Sequence, residues 1–264
     1  MEEERLTLWT TTRMKFKVVA SGSKGNCTVV LCDNTNLIID MGISYLTLKR
    51  SLEENSLSFE DFSGILVTHC HKDHTKGLAS LIKHTKLNAY IPQGMYDSLK
   101  EYITKDRCVF INDYFKINDV SIELIHTSHD APSSVGFIIY YQDRSLVYVT
   151  DTGYINRKYL ARMVGKDAYV IESNHDEKML MDGSYPRFLK ERIISDNGHL
   201  SNTTTAKYLS KLVADNTKHI VLAHLSHENN TEELALNTLK EYVSSENIEI
   251  IIARQEEETK LIEV

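Results

Sequence analysis

The chain has 264 residues, 42% hydrophobic and 25% charged, an ordinary balance for a soluble globular protein with a large core. Its net charge of −7 offers no overall basic surface for nucleic-acid backbones, which counts against a long nucleic-acid substrate. No apolar run reaches membrane-span length, the N-terminus lacks a signal-peptide apolar region, and the four cysteines form no Cys-x-x-Cys pair, so reduced thiols and a cytosolic location are expected.

Residues 1–13 are polar and read as an extension, tag remnant or upstream start. Beyond them no Pro- or Gly-rich linker, charge block or low-complexity stretch appears, so residues 14–264 are expected to form one domain. Strands are predicted at 16–20 and 27–31, joined by a small-residue loop at 21–26. That loop lacks P-loop spacing and suits a tight hairpin as well as a place near a site. A strand over 36–42 carries Asp40 near its end, either the partner of a ligand histidine's free ring nitrogen or a turn and cap residue. A helix over 44–55 and an apolar strand over 64–68 follow, and the strand runs directly into His69, His71, Asp73 and His74.

A helix then runs to His84, which reads as a surface residue, followed by a strand at 88–91 and a helix over 93–103. The strand at 120–125 ends in His126 and His129. A hairpin of 135–140 and 145–149 ends in Asp151, a residue able to bridge two metals or to serve as a turn aspartate. The strand at 167–172 ends in Glu172, Asn174 and His175. Helix 185–194 leads to a polar turn at 195–202 that holds His199 and opens a helix to 214. A strand at 219–223 ends in His224 and His227, and a helix over 231–244 and a strand over 248–253 close the chain.

Three histidines and an aspartate within six residues, placed between a strand end and a helix start, point to a metal site. His69 and His71 can aim at one point when the loop curls, leaving Asp73 and His74 to face a second. Five strand ends carry His, Asp or Glu, and active sites of layered α/β proteins gather at strand ends.

The H-x-H-x-D-H stretch resembles the metallo-β-lactamase superfamily of two-metal hydrolases, and the wider set of motifs resembles its WalJ/YycJ family. The matching stretches are 20–27, 67–77, 151–154, 172–176, 195–202 and 224–230. The resemblance implies an α/β fold, the metallo-β-lactamase αββα sandwich, with two divalent transition metal ions, zinc or manganese. One ion would take His69, His71, His129 and Asp151; the other would take Asp73, His74, His224 and Asp151. His129 is chosen over His126 because it stands before the Gly136-Phe137 pair as in the ribonuclease Z branch, and His224 over His227. Asp73 and His199 carry the catalytic roles: Asp73 orients the attacking water or accepts its proton, and His199 faces the scissile phosphate unless it is only a helix-start cap. Asp40 belongs behind the ligands, and Glu172, Asn174 and His175 sit at the site's edge or on a surface loop.

The implied activity is hydrolysis of a nucleotide or nucleic-acid phosphodiester, foremost as a DNA exonuclease. The alternative is a cyclic mononucleotide phosphodiesterase of the phage anti-Pycsar type, in which Tyr154 or Tyr185 would stack on the base. A compact acidic chain without a ribonuclease Z exosite arm or a β-CASP insertion suits that alternative. A binding protein on a decayed hydrolase scaffold would lack ligands, and here none is missing. No membrane partner is expected, and a homodimer is expected by analogy.

Overall fold

The computed structural model describes residues 14–244 and 246–264, so the N-terminal extension read at 1–13 lies outside the described residues. The elements begin with β1 (Lys15–Ala20), β2 (Cys27–Leu31), β3 (Asn36–Ile39), α1 (Tyr45–Glu54), β4 (Phe62–Leu66), α2 (Lys72–Thr75) and α3 (Leu78–His84). They continue through β5 (Ala89–Pro92), α4 (Tyr96–Leu99), β6 (Cys108–Ile111), β7 (Tyr114–Ile117), β8 (Val120–His126), β9 (Val135–Tyr141) and β10 (Arg144–Val149). The remainder is α5 (Arg157–Met163), β11 (Ala168–Glu172), α6 (Glu177–Asp182), α7 (Arg187–Ile194), α8 (Asn202–Leu212), β12 (His219–Ala223), α9 (Glu232–Tyr242), β13 (Glu249–Ile252) and β14 (Ile262–Glu263).

These strands form two seven-stranded sheets, ordered β14-β1-β2-β3-β4-β5-β6 and β13-β12-β11-β10-β9-β8-β7. The continuous apolar runs of β9, β10 and β11 are those of strands buried on both faces. Their alternation decides what each face meets. Phe137, Ile139, Leu146, Tyr148, Ala168 and Val170 join the core shared with the first sheet. Ile138, Val147, Val149, Tyr169 and Ile171 point the other way, onto Tyr159 and Met163 of α5, Leu209 and Leu212 of α8 and Leu239 of α9. Leu48 and Leu52 of α1 and Leu81 of α3 pack with the first sheet. The layers are therefore helix, sheet, sheet, helix.

Local chemistry starts and stops these elements. Ser201 caps α8 by accepting from Thr204 N, and Thr231 caps α9 by accepting from Leu234 N. The two-residue turn between β9 and β10 puts Gln142 at φ 52°, as a primed hairpin turn requires.

Some elements depart from the sequence reading. The helix expected over 93–103 contracts to a 3-10 turn at Gln93–Met95 and the four residues of α4. The short, half-exposed β6 and β7, and the helices α5 and α6, have no counterpart among the elements expected from the sequence. Among the described residues no helix is long and apolar enough to cross a membrane.

Candidate metal centre

Strand direction gathers the site. β3, β4, β5 and β6 are mutually parallel, as are β10, β11, β12 and β13, and β8 runs with β10 through two antiparallel pairings. Their C-terminal ends therefore deliver Asp40, the His69–His74 turn, His129, Asp151, Glu172 and His224 to one place. Asp40, Asp151 and His224 follow their strands in the left-handed region, at φ 59°, 54° and 55°. Such a backbone costs a residue with a side chain about 1–2 kcal/mol, and its repetition at three buried strand ends marks a functional constraint rather than a loose turn.

Donor atoms converge there. His71 Nδ1 lies 3.2 Å from His129 Nε2, and His69, His71 and His129 each place a nitrogen within 4.8 Å of the others. Asp73, His74 and His224 form a second such group, and Asp151 reaches toward both. Its Oδ2 is 3.2 Å from His74 Nε2, and its Oδ1 is 3.4 Å from His224 Nε2 and 4.0 Å from His129 Nε2.

The nitrogens facing outward from this cluster fix the tautomers. His74 Nδ1 lies 2.7 Å from Asp40 Oδ2 and His224 Nδ1 lies 3.1 Å from Glu172 Oε1, so each donates to a carboxylate. Thr68 uses its one hydroxyl proton on Asp40 Oδ2 at 2.7 Å, so the 3.0 Å contact to His69 Nδ1 makes that nitrogen the donor. His129 Nδ1 faces the Gly198 carbonyl at 3.3 Å. The inward nitrogens are left as lone pairs.

A divalent metal fits these residues. His69 Nε2, His224 Nε2 and Asp151 Oδ2 are buried without a hydrogen-bond partner, an expensive arrangement for an apolar interior and a natural one for a cation's donor set. Electrostatics point the same way. Burial would depress His74, but Asp151 and Asp40 outweigh it and lift its pKa to about 10. Burial would raise Asp151, yet His224 and His74 hold it well below the usual carboxylate range. Burial also depresses His69, with the His74 ring adding to the effect. Negative charge thus draws a positive partner into the cluster, and a cation competes with protons for it.

Glu172 is the hub beneath the cluster. Fully buried, it accepts from His199 Nδ1 at 2.7 Å, His224 Nδ1 at 3.1 Å, Thr152 N at 3.1 Å and Leu200 N at 3.0 Å. Asn174 is buried, donates to the His224 carbonyl and lines the cavity over the site. His175 is buried away from that cavity, and its carbonyl accepts from Asn202 N. The surface-loop alternative for these three residues does not survive their burial. His199 is partly exposed, and Glu172 holds its Nδ1 so that Nε2 is the nitrogen open to the cavity.

The residues set aside also find places. His126 is exposed and pairs with Asp113 at 2.8 Å, and the His227 side chain is 88% exposed. His84 is exposed at the end of α3. The 21–26 loop is a hairpin clamped against the metal turn: Asn26 N donates to Asp73 O, and a Cβ on Gly42 would stand 1.6 Å from that same carbonyl. Sequence reasoning passed over Asn26, Thr68, Asp130 and Arg192; a polar residue beside each ligand was the available signal only for Thr68 and Asp130. The cavity, about 440 Å³, takes Tyr185 on its wall, whereas Tyr154 opens onto a different depression with His126.

Residues 35–225 match the Beta-lactamase superfamily domain. The chain is 38% identical over 227 residues to exodeoxyribonuclease YycJ of Bacillus anthracis, covering 84% of this chain and 86% of that one. It belongs to the YycJ/WalJ family of the beta-lactamase superfamily. Exodeoxyribonuclease WalJ of Streptococcus pneumoniae is 35% identical over 232 residues, covering 85% and 86%. Among solved structures, the metallo-β-lactamase fold protein YhfI of Bacillus subtilis superposes with a TM-score of 0.72 over 96% of this chain and all of its own, at 15% identity, which speaks to the fold. As a member of the YycJ/WalJ family, the chain has the αββα sandwich as its fold, and that fold together with its His/Asp cluster implies divalent metals.

Proposed function

We propose that the chain is a two-metal phosphodiester hydrolase that removes nucleotides from DNA ends, like the exodeoxyribonucleases it resembles. The observation that carries this reading is the convergence of His69, His71 and His129 beside Asp73, His74 and His224, with Asp151 between them. In this reading the first three would hold one ion, the second three the other, and Asp151 both. Zinc and manganese suit such nitrogen–oxygen ligation equally. One domain over 14–264, a cytosolic location and a homodimer belong to the same reading.

Divalent metals held by these residues would supply a water of lowered pKa and positive charge for the phosphoryl oxygens. The chain's own residues do the rest. The Asp73 carboxylate, partly exposed and 3.5 Å from His74 Nε2, orients the attacking water and receives its proton. Glu172 keeps His199 turned so that Nε2 meets the phosphodiester, where it donates to the leaving oxygen as the phosphorus–oxygen bond breaks. The Leu225 and Tyr185 side of the cavity is left to receive the terminal nucleoside.

Replacing His199 with Ala is expected to lower turnover about 10²–10⁴-fold, the usual worth of a positioned acid. Metal content, measured by plasma mass spectrometry, should stay at the wild-type value; an equal loss of metal would make His199 a ligand instead. The reading as a whole is tested on metal-loaded protein with end-labelled duplex DNA beside a panel of 3′,5′-cyclic mononucleotides. Stepwise release of nucleotides from DNA is expected. Ring opening with the DNA intact would replace the exonuclease by the cyclic-nucleotide alternative, and no turnover of either would remove phosphodiester hydrolysis.

A further inference from the structure

Four of the five cluster imidazoles have an outward partner already described: Asp40, Glu172, Thr68 and the Gly198 carbonyl. The fifth, His71, turns Nδ1 inward to within 3.2 Å of His129 Nε2, so its proton belongs on Nε2. That nitrogen lies 3.5 Å from Asp130 Oδ1. The other Asp130 oxygen is taken by Arg192, whose Nε stands 2.9 Å away and whose Nη2 also contacts it. Asp130 and Arg192 both line the cavity. Arg192 lies on α7, a helix that buries none of its residues, so this ion pair joins an otherwise lightly anchored cavity wall to the metal cluster.

We infer that Asp130, clamped by Arg192, is a positioning residue that fixes the tautomer and orientation of His71. The clamp has a geometric purpose. A free Asp130 carboxylate would turn toward water, since it is 35% exposed, and would leave His71 Nε2 to solvent. Two guanidinium donors on Oδ2 leave Oδ1 directed at the imidazole. Oδ1 is also 3.5 Å from His129 Nε2. That nitrogen is a lone pair by its Gly198 contact, so the attractive partner of Oδ1 is the His71 N–H.

The inference rests on the two-metal reading, and one experiment separates the two. Zinc is titrated calorimetrically into metal-free wild type, Asp130→Ala, Asp130→Asn and Arg192→Met. Wild type should take two ions; fewer would overturn the two-metal reading and the inference with it. Asp130→Ala should weaken one of the two steps by about 10–100-fold, the usual effect of losing a ligand's outer partner, and leave the other step unchanged. Asp130→Asn, which keeps an accepting oxygen, should lose clearly less. Arg192→Met should weaken the same step by roughly several-fold, and this variant decides the matter if Asp130→Ala does not fold. Unchanged zinc affinity in Asp130→Ala and Arg192→Met would overturn the positioning role while leaving the two-metal reading intact. Equal losses in the Ala and Asn variants would overturn it too, by making Asp130 a direct ligand.

Discussion

Asp151→Asn is expected to lower phosphodiester turnover by about a thousand-fold or more while the protein stays folded. Among the described residues Asp151 is the one carboxylate that reaches both donor groups, 3.2 Å from His74 Nε2 on one side and 4.0 Å from His129 Nε2 on the other. Removing its charge takes away several kcal/mol of cation holding and charge stabilisation, and about 4 kcal/mol corresponds to a factor near 10³. Asn tolerates the left-handed backbone at φ 54°, so its cost falls on chemistry. Asp151→Ala should lose the same turnover and about 1–2 kcal/mol of folding stability besides, because Ala does not tolerate that φ. Steady-state turnover and urea unfolding of both variants provide the check. Near-wild-type turnover in Asp151→Asn would remove the residue from the metal centre.

Glu172→Ala is expected to be the most destabilising single change near the site, by about 3–5 kcal/mol. Four donors share this buried carboxylate: two imidazoles and the backbone N–H groups of Thr152 and Leu200. Truncation leaves all four in the interior without an acceptor, and buried donors left unpaired carry the full desolvation cost. His199, beside it, keeps the carboxylate ionised: burial would raise Glu172, but the ring pulls its pKa down to about 2. Glu172→Gln keeps the shape and one accepting oxygen yet turns an amide N–H₂ toward donors. It should cost less stability than Ala while turnover falls about 10–100-fold, because His199 and His224 lose their common orienting partner. Denaturant unfolding of metal-free protein separates the folding cost from the kinetic one. A Gln variant with wild-type stability and turnover would contradict the hub role.

What could be read from the sequence follows how local each feature is. His69, His71, Asp73 and His74 occupy one turn after one apolar strand, so their spacing carries the message by itself. The buried strands β9 to β12 announce themselves as apolar runs because both faces meet a core. Glu172 is different: read alone it is any strand-end acid, and only the packing of the ends of β10 and β12 and the start of α8 around it brings four donors to its oxygens. Asp130 and Arg192 stand 62 positions apart, and nothing in either neighbourhood names the other. The choice of His129 over His126 came from resemblance; the three-dimensional reason is that His126 is still in β8 and faces Asp113, whereas His129 lies beyond the strand end. Strands β6 and β7 escaped notice because each has four residues with little burial, leaving no clear alternation. The helix expected over 93–103 has the right spacing but opens as a 3-10 turn and stops at Leu99.

The most direct measurement is release of nucleotides from end-labelled duplex DNA by one protein preparation in three states: as purified, stripped of metal with a chelator, and stripped then resupplied with manganese or zinc. Release should vanish on stripping and return on resupply, with no return in Asp151→Asn. Release that survives complete stripping, or a stripped wild type that binds no divalent metal, would contradict a metal centre built from these strand ends.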